Sequence, residues 1–190
     1  MANLIEKIQR MTVDLQGKAV QIVNKHTAQV WRNLIDKMRG GTSSDTLGRR
    51  TGNLVQSTRP LDIQVDGGRI TGGVVVGEKY AVVHIGPRGS VYTIRPTNKQ
   101  FLTVPLDAAK TSAGVARGHM EGPPWTFLGM PTFIKKGVIF GVQGKGQIVP
   151  LFVLKSQVEV PRRIDMQEDI LEPIRPNLVA DCLAMVGDGK

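Results

Sequence analysis

The longest regular pattern in the chain is at its amino end. Between residues 3 and 38, apolar side chains stand at Leu4, Ile8, Met11, Leu15, Ala19, Ile22, Val23, Val30, Trp31, Leu34 and Met38. Most steps are three or four residues, the period of a helix with one apolar face. Asn3 followed by Glu6 has the spacing of a capping box, and Gly17 marks a place where the helix is expected to bend. At 1.5 Å per residue the helix would run ~54 Å, longer than a globule of 190 residues can cover. Part of the stripe is therefore expected to lie against a second chain, and removal of residues 1–38 to leave a soluble fold that no longer assembles. Gly40-Gly41-Thr42-Ser43-Ser44-Asp45 ends the pattern and reads as a flexible connector.

The period then changes to two. Leu61–Val65 alternates apolar and polar residues, Asp66-Gly67-Gly68 is a turn signal, and Arg69–Val76 returns, so residues 61–76 predict a hairpin. Tyr80–Ile85 reads as a strand ending in the loop Gly86-Pro87-Arg88-Gly89. Val91–Ile94 and Phe101–Val104 are short strands. Lys135–Val142 and Ile148–Val160 form another pair across Gln143-Gly144-Lys145-Gly146.

Residues 106–133 are irregular, rich in Gly and Pro, and carry Met120, Trp125, Phe127 and Met130. A long loop with such side chains is expected to dock on a partner or fold back on itself. Helical spacing resumes in the tail, where Pro173 and Pro176 restrict the helix to a start near Pro176. The expected organisation is an N-terminal helical arm over 1–40, a β-rich core over 41–165 and a C-terminal helix and tail over 166–190.

Composition is that of an ordinary globular chain, 41% hydrophobic, with a mean hydropathy of −0.10. No stretch has the ~20 apolar residues of a membrane span, and the start lacks a basic-then-apolar leader, so neither a membrane nor a secretory signal is expected. The formal charge of +9 is uneven: residues 1–60 hold ten Lys or Arg against four acids. Such an arm suits a polyanion or an acidic neighbouring subunit. Aromatics are only 5% and are not interleaved with the basic residues, which argues against a stacking platform for single strands.

Candidate chemistry is sparse. His26, His84 and His119 are the only histidines, and none has a partner at metal-ligand spacing. No Gly-x-Ser-x-Gly turn is present. Gly144-Lys145 fails as a phosphate loop, because Ile139 stands where the leading glycine belongs and Gly146 where Ser or Thr belongs. Cys182, the single cysteine, has apolar neighbours and reads as a buried thiol. Glu168 and Asp169 read as a solvated acidic pair. The expectation is a chain that is not an enzyme, with no catalytic residue, metal or cofactor.

Five segments acquire meaning from their order. They are Arg50-Thr51-Gly52-Asn53-Leu54 with Ser57, Tyr80-Ala81-Val82-Val83-His84-Ile85-Gly86, Phe101-Leu102-Thr103-Val104-Pro105, Leu151-Phe152-Val153-Leu154, and Val158-Glu159-Val160-Pro161-Arg162. Behind a basic amphipathic helix, this series resembles the neck and tail-completion proteins of tailed bacteriophages, the HK97-type tail-component and Mu-like virion-morphogenesis family, over residues 45–165. Where that family often has an acidic residue, an aromatic and a glycine, His84-Ile85-Gly86 stands here.

The resemblance implies an α+β fold: a small antiparallel, partly barrel-like sheet with a long N-terminal amphipathic helix and a C-terminal helix. It implies a structural virion protein that forms a homo-oligomeric ring, such as a hexamer, at the head–tail junction with a passage for DNA. Its partners would be other neck, connector or tail proteins, with non-specific contact to genomic DNA. Its location would be the virion tail or neck, after assembly in the host bacterial cytoplasm. Arg49, Arg50, Arg59, Trp125, Phe127, Arg162 and Arg163 are the interface or DNA-facing candidates. The alternatives are a tail terminator, tail-tube or baseplate-type component, and a basic nucleic-acid-binding protein.

Overall fold

The apolar period of the amino end is realised as a single helix, α1 (Ala2–Arg39). The computed structural model describes residues 2–40, 52–112, 114, 116–122 and 125–187. Gly17 lies within α1 and does not interrupt it. Asn3 is inside the helix rather than at its cap, so the capping-box reading fails. The connector expected after residue 40 falls outside the described residues.

Tertiary contacts group the chain into two compact units, Met1–Ser90 with Pro161–Lys190, and Val91–Val160. In the first unit, α1 changes character along its length. Residues 3–18 are all exposed, whereas Leu34, Ile35 and Met38 are buried. The second half of α1 is thus core, and the expectation that residues 1–38 are dispensable for folding does not hold. Leu34 and Met38 pack with Leu54 of α2 (Asn53–Gln56), Ala81 of α3 (Ala81–His84), and Ile164 and Ile170. The Trp31 indole N–H donates to the Thr58 carbonyl at 3.0 Å, fixing the following strand on the helix.

The predicted hairpin over 61–76 is two pairings rather than one. β2 (Gln64–Asp66) pairs with β3 (Arg69–Thr71) around Gly67-Gly68, both at positive φ. β4 (Val74–Val76) pairs instead with β1 (Thr58–Pro60). A side chain at Gly72 would lie 2.0 Å from Thr27 Oγ1, so only glycine lets this hairpin approach α1 so closely. The apolar run at Tyr80–Ile85 is not a strand: it turns as α3, which buries Ala81 in the core while Val82 remains 48% exposed. The tail follows as a π-helical turn (Met166–Leu171) and α4 (Arg175–Gly187). Asp165 caps the turn, accepting from the backbone N–H groups of Gln167 and Glu168 at 2.9 and 3.2 Å. Cys182 is exposed, contrary to the burial expected from its neighbours.

The second unit contains β5 (Val91–Ile94), β6 (Leu102–Pro105), β7 (Thr126–Phe127), β8 (Met130–Lys135), β9 (Val138–Gln143) and β10 (Gln147–Lys155). β5 forms a two-stranded ladder with β11 (Val158–Pro161). The main sheet is antiparallel, curled, and ordered β6-β10-β9-β8-β7. A register shift between Pro150 and Phe152 bends β10. Ala109, Phe127, Ile139, Leu151 and Phe152 form its core. The Phe127 and Phe152 rings meet edge-to-face with centroids 5.0 Å apart. Gly141 leaves room for Leu151, which would stand 2.7 Å from a β-carbon there. The fold is α+β, with a long N-terminal helix, a C-terminal helix and antiparallel, partly barrel-like sheet.

Candidate interaction surfaces

The segments singled out in the sequence hold the fold together. In the first unit, His84 and Gly86 meet the stretch after Pro161. The His84 carbonyl accepts from Arg163 and Ile164, and the Gly86 N–H donates to Ile164 at 2.9 Å. In the second unit, Leu102–Pro105 pairs with Phe152–Lys155. Leu54 is buried against α1, and its carbonyl accepts from the Thr58 hydroxyl at 2.6 Å. A sequential order of motifs thus becomes two sets of spatial neighbours, one in each unit.

The candidate interface residues separate into classes. Arg49 and Arg50 lie outside the described residues. Arg59 is exposed on β1, opposite Val75. Trp125 is 57% exposed beside β7. Phe127, by contrast, is 0% exposed; its ring is spent on the core of its own unit, and it is not available to a partner. Arg162 is half-buried and lies across Gly86, where a β-carbon would be 2.5 Å from its Cδ. That packing gives Arg162 a role within the chain. Arg163 is exposed.

Two ionic groupings had not been expected. Glu168 and Asp169 are not a solvated pair: the Asp169 side chain is 6% exposed. It accepts from Arg88, from Lys37 at 3.4 Å and from the backbone N–H of Asp165. Arg88 also reaches Glu168 at 2.8 Å, and its backbone N–H donates to Asp165 at 2.8 Å. That bond, with those from the backbone N–H groups of Glu168 and Gln167, holds the Asp165 carboxyl below its ordinary value. Arg88 has only its place in a Gly-Pro-Arg-Gly loop as a sequence signal, and its partners lie about eighty residues away.

In the other grouping, Asp181 of α4 accepts from Lys25 at 2.6 Å and meets His26 Nε2 at 2.8 Å. These two contacts depress its pKa, Lys25 contributing most. His26 is 4% exposed, and its Nδ1 is buried with no hydrogen-bond partner among the described residues. It lines an open hollow of about 540 Å³ with apolar walls from Val23, Val30, Val74, Ile174 and Leu178. Among the described residues, the other polar walls of this hollow are Thr27, Gln167 and Arg175, with no Ser, Cys or Lys lining it.

Among the exposed apolar residues, which also include Ile134 and Ile148 on the main sheet, three groupings stand out. The first is the stripe on α1, with Leu4, Ile8, Met11 and Leu15 at 63, 55, 50 and 40% exposure. The second is the β7–β8 turn, where Leu128 is 54% exposed beside Trp125. Leu128 stands at φ 51°, a conformation that a branched side chain adopts at a cost. The third is α4, where Val179, Leu183 and Val186 are exposed. Among the described residues, no group of three or more His, Cys, Asp or Glu side chains could hold a metal ion, and no helix is long and apolar enough to cross a membrane.

Compared with protein-family models, curated proteins and solved structures, the chain has no match.

Proposed function

We propose that this chain is a structural virion protein of a tailed phage, a neck or tail-completion component whose copies close into a ring at the head–tail junction around a passage for DNA. It works by being covered by other subunits, and it turns over no substrate. The observation that carries the reading is the exposed apolar stripe on residues 3–18 of α1, which the chain's own core does not use. The ordered resemblance of residues 45–165 to neck proteins supplies the direction. Two further surfaces support it, the Trp125–Leu128 turn and the exposed face of α4, because a ring gives each copy two different faces to fill. The +9 charge suits a DNA passage or an acidic neighbour.

The test is genetic and structural. Particles assembled without this chain should contain full heads and finished tails that do not join, or tails that remain unfinished. Joined, infectious particles in its absence would end the proposal. A steep salt-dependent shift of duplex DNA by the isolated monomer would favour the reading as a free nucleic-acid-binding protein.

A further inference from the structure

We infer that two free copies of this chain pair through the amino-terminal part of α1 as an antiparallel two-helix seam over residues 4–15. Leu4, Ile8, Met11 and Leu15 are spaced four, three and four residues apart, the spacing of a coiled-coil seam. The next seam position is Lys18, which ends the apolar series. All four apolar residues are exposed, and they belong to a helix already anchored at its far end by Leu34, Ile35 and Met38. Ordering the seam therefore adds little cost on pairing.

The charges choose the occupant and its direction. In an antiparallel pair Leu4 faces Leu15 of the second copy, and Ile8 faces Met11. The flanking positions then set Lys7 beside Asp14 of the second copy and Ile5 beside Thr12, each contact made twice. A parallel pair sets Lys7 beside Thr12 and Asp14 beside Ala19, with no ion pair, and brings Lys18 against its own copy. The sequence is thus complementary to itself in one direction only. Asp14 also bonds Lys18 of its own helix at 3.3 Å, an exposed contact it can share.

Four layers make a seam ~18 Å long. That is short of the ~800 Å² per partner of a firm complex, so the pair is weak and reversible. It covers the apolar stripe while the chain is free. A contact identical from both sides closes as a pair and cannot repeat around a ring, so the inference stands apart from the ring reading.

The full-length chain in analytical ultracentrifugation should show a concentration-dependent monomer–dimer equilibrium. Ile8→Glu should weaken it by at least about tenfold without moving the thermal midpoint. Lys7→Asp and Asp14→Lys should each weaken it, and the double swap should restore it. In a Cys182→Ala background, mixing Leu4→Cys chains with Leu15→Cys chains should give the mixed disulfide, while Ile8→Cys alone should not cross-link. A strictly monomeric chain overturns the inference. So do Ile8→Cys homodisulfides, a mass series beyond two that Ile8→Glu leaves intact, or an arm that pellets with anionic vesicles and never self-associates. Rings that form without the mixed disulfide would overturn the pair and leave the ring reading in place.

Discussion

Single side chains here do work that their neighbours in sequence do not announce. Phe127 sits in an irregular, Gly- and Pro-rich stretch yet is wholly buried against Phe152. Phe127→Ala should destabilise the chain by about 3–5 kcal/mol, through lost burial and an unfilled cavity; equilibrium urea unfolding measures this. One residue further on, Leu128 holds a positive φ with its side chain exposed. Leu128→Asn should raise stability by about 1 kcal/mol, because asparagine tolerates that conformation, and it should weaken any contact that needs the leucine. Asp181 carries a pH signature. Its folded pKa is depressed, so its contribution is present above the ordinary value of 3.8 and is lost as pH falls through the lower folded value. Thermal midpoints of the native chain should therefore drop as pH falls from 3.8 through that lower value. Asp181→Asn should lose part of that slope and change little in how the midpoint varies near neutrality.

At the scale of elements, α1 is one helix with two roles. Residues after 19 carry the core of the first unit, and residues 3–18 carry only surface. Deleting residues 1–18 should leave the unfolding free energy from urea titration within about 0.5 kcal/mol of the full chain, while association is lost. Deleting through Met38 should abolish cooperative unfolding of the first unit, because Leu34, Ile35 and Met38 leave with it. Circular dichroism and sedimentation on the two truncations separate these outcomes. The Arg88–Asp165–Asp169–Lys37 grouping acts at the same scale, tying the loop after α3 and the π-helical turn to α1.

For the whole molecule, the prediction concerns mass and place. A ring requires particles that contain this chain in a fixed multiple of 20.7 kDa, located between head and tail. Native mass measurement of the isolated neck, together with an image of the particle, checks both. A multiple that varies from particle to particle would exclude closed rotational symmetry.

The sequence by itself determined the two long helices, α1 and α4, and most strands, because those follow from local periodicity. The three-to-four spacing of Leu4 through Met38 requires a helix wherever it is, and Gly67-Gly68 turns a hairpin from its own backbone freedom. It also determined that α1 outruns its own core. Tertiary structure alone decided which partners those elements met. The apolar run Ala81–His84 had no period to choose helix over strand, and packing of Ala81 against α1 chose. Burial reversed the expectations for Phe127, Cys182 and Asp169, because exposure depends on residues distant in the chain. His26 met Asp181 across 155 positions, and Arg88 met Glu168 across 80. Local spacing fixes a residue's backbone, whereas its environment is set by chain segments that only folding brings near.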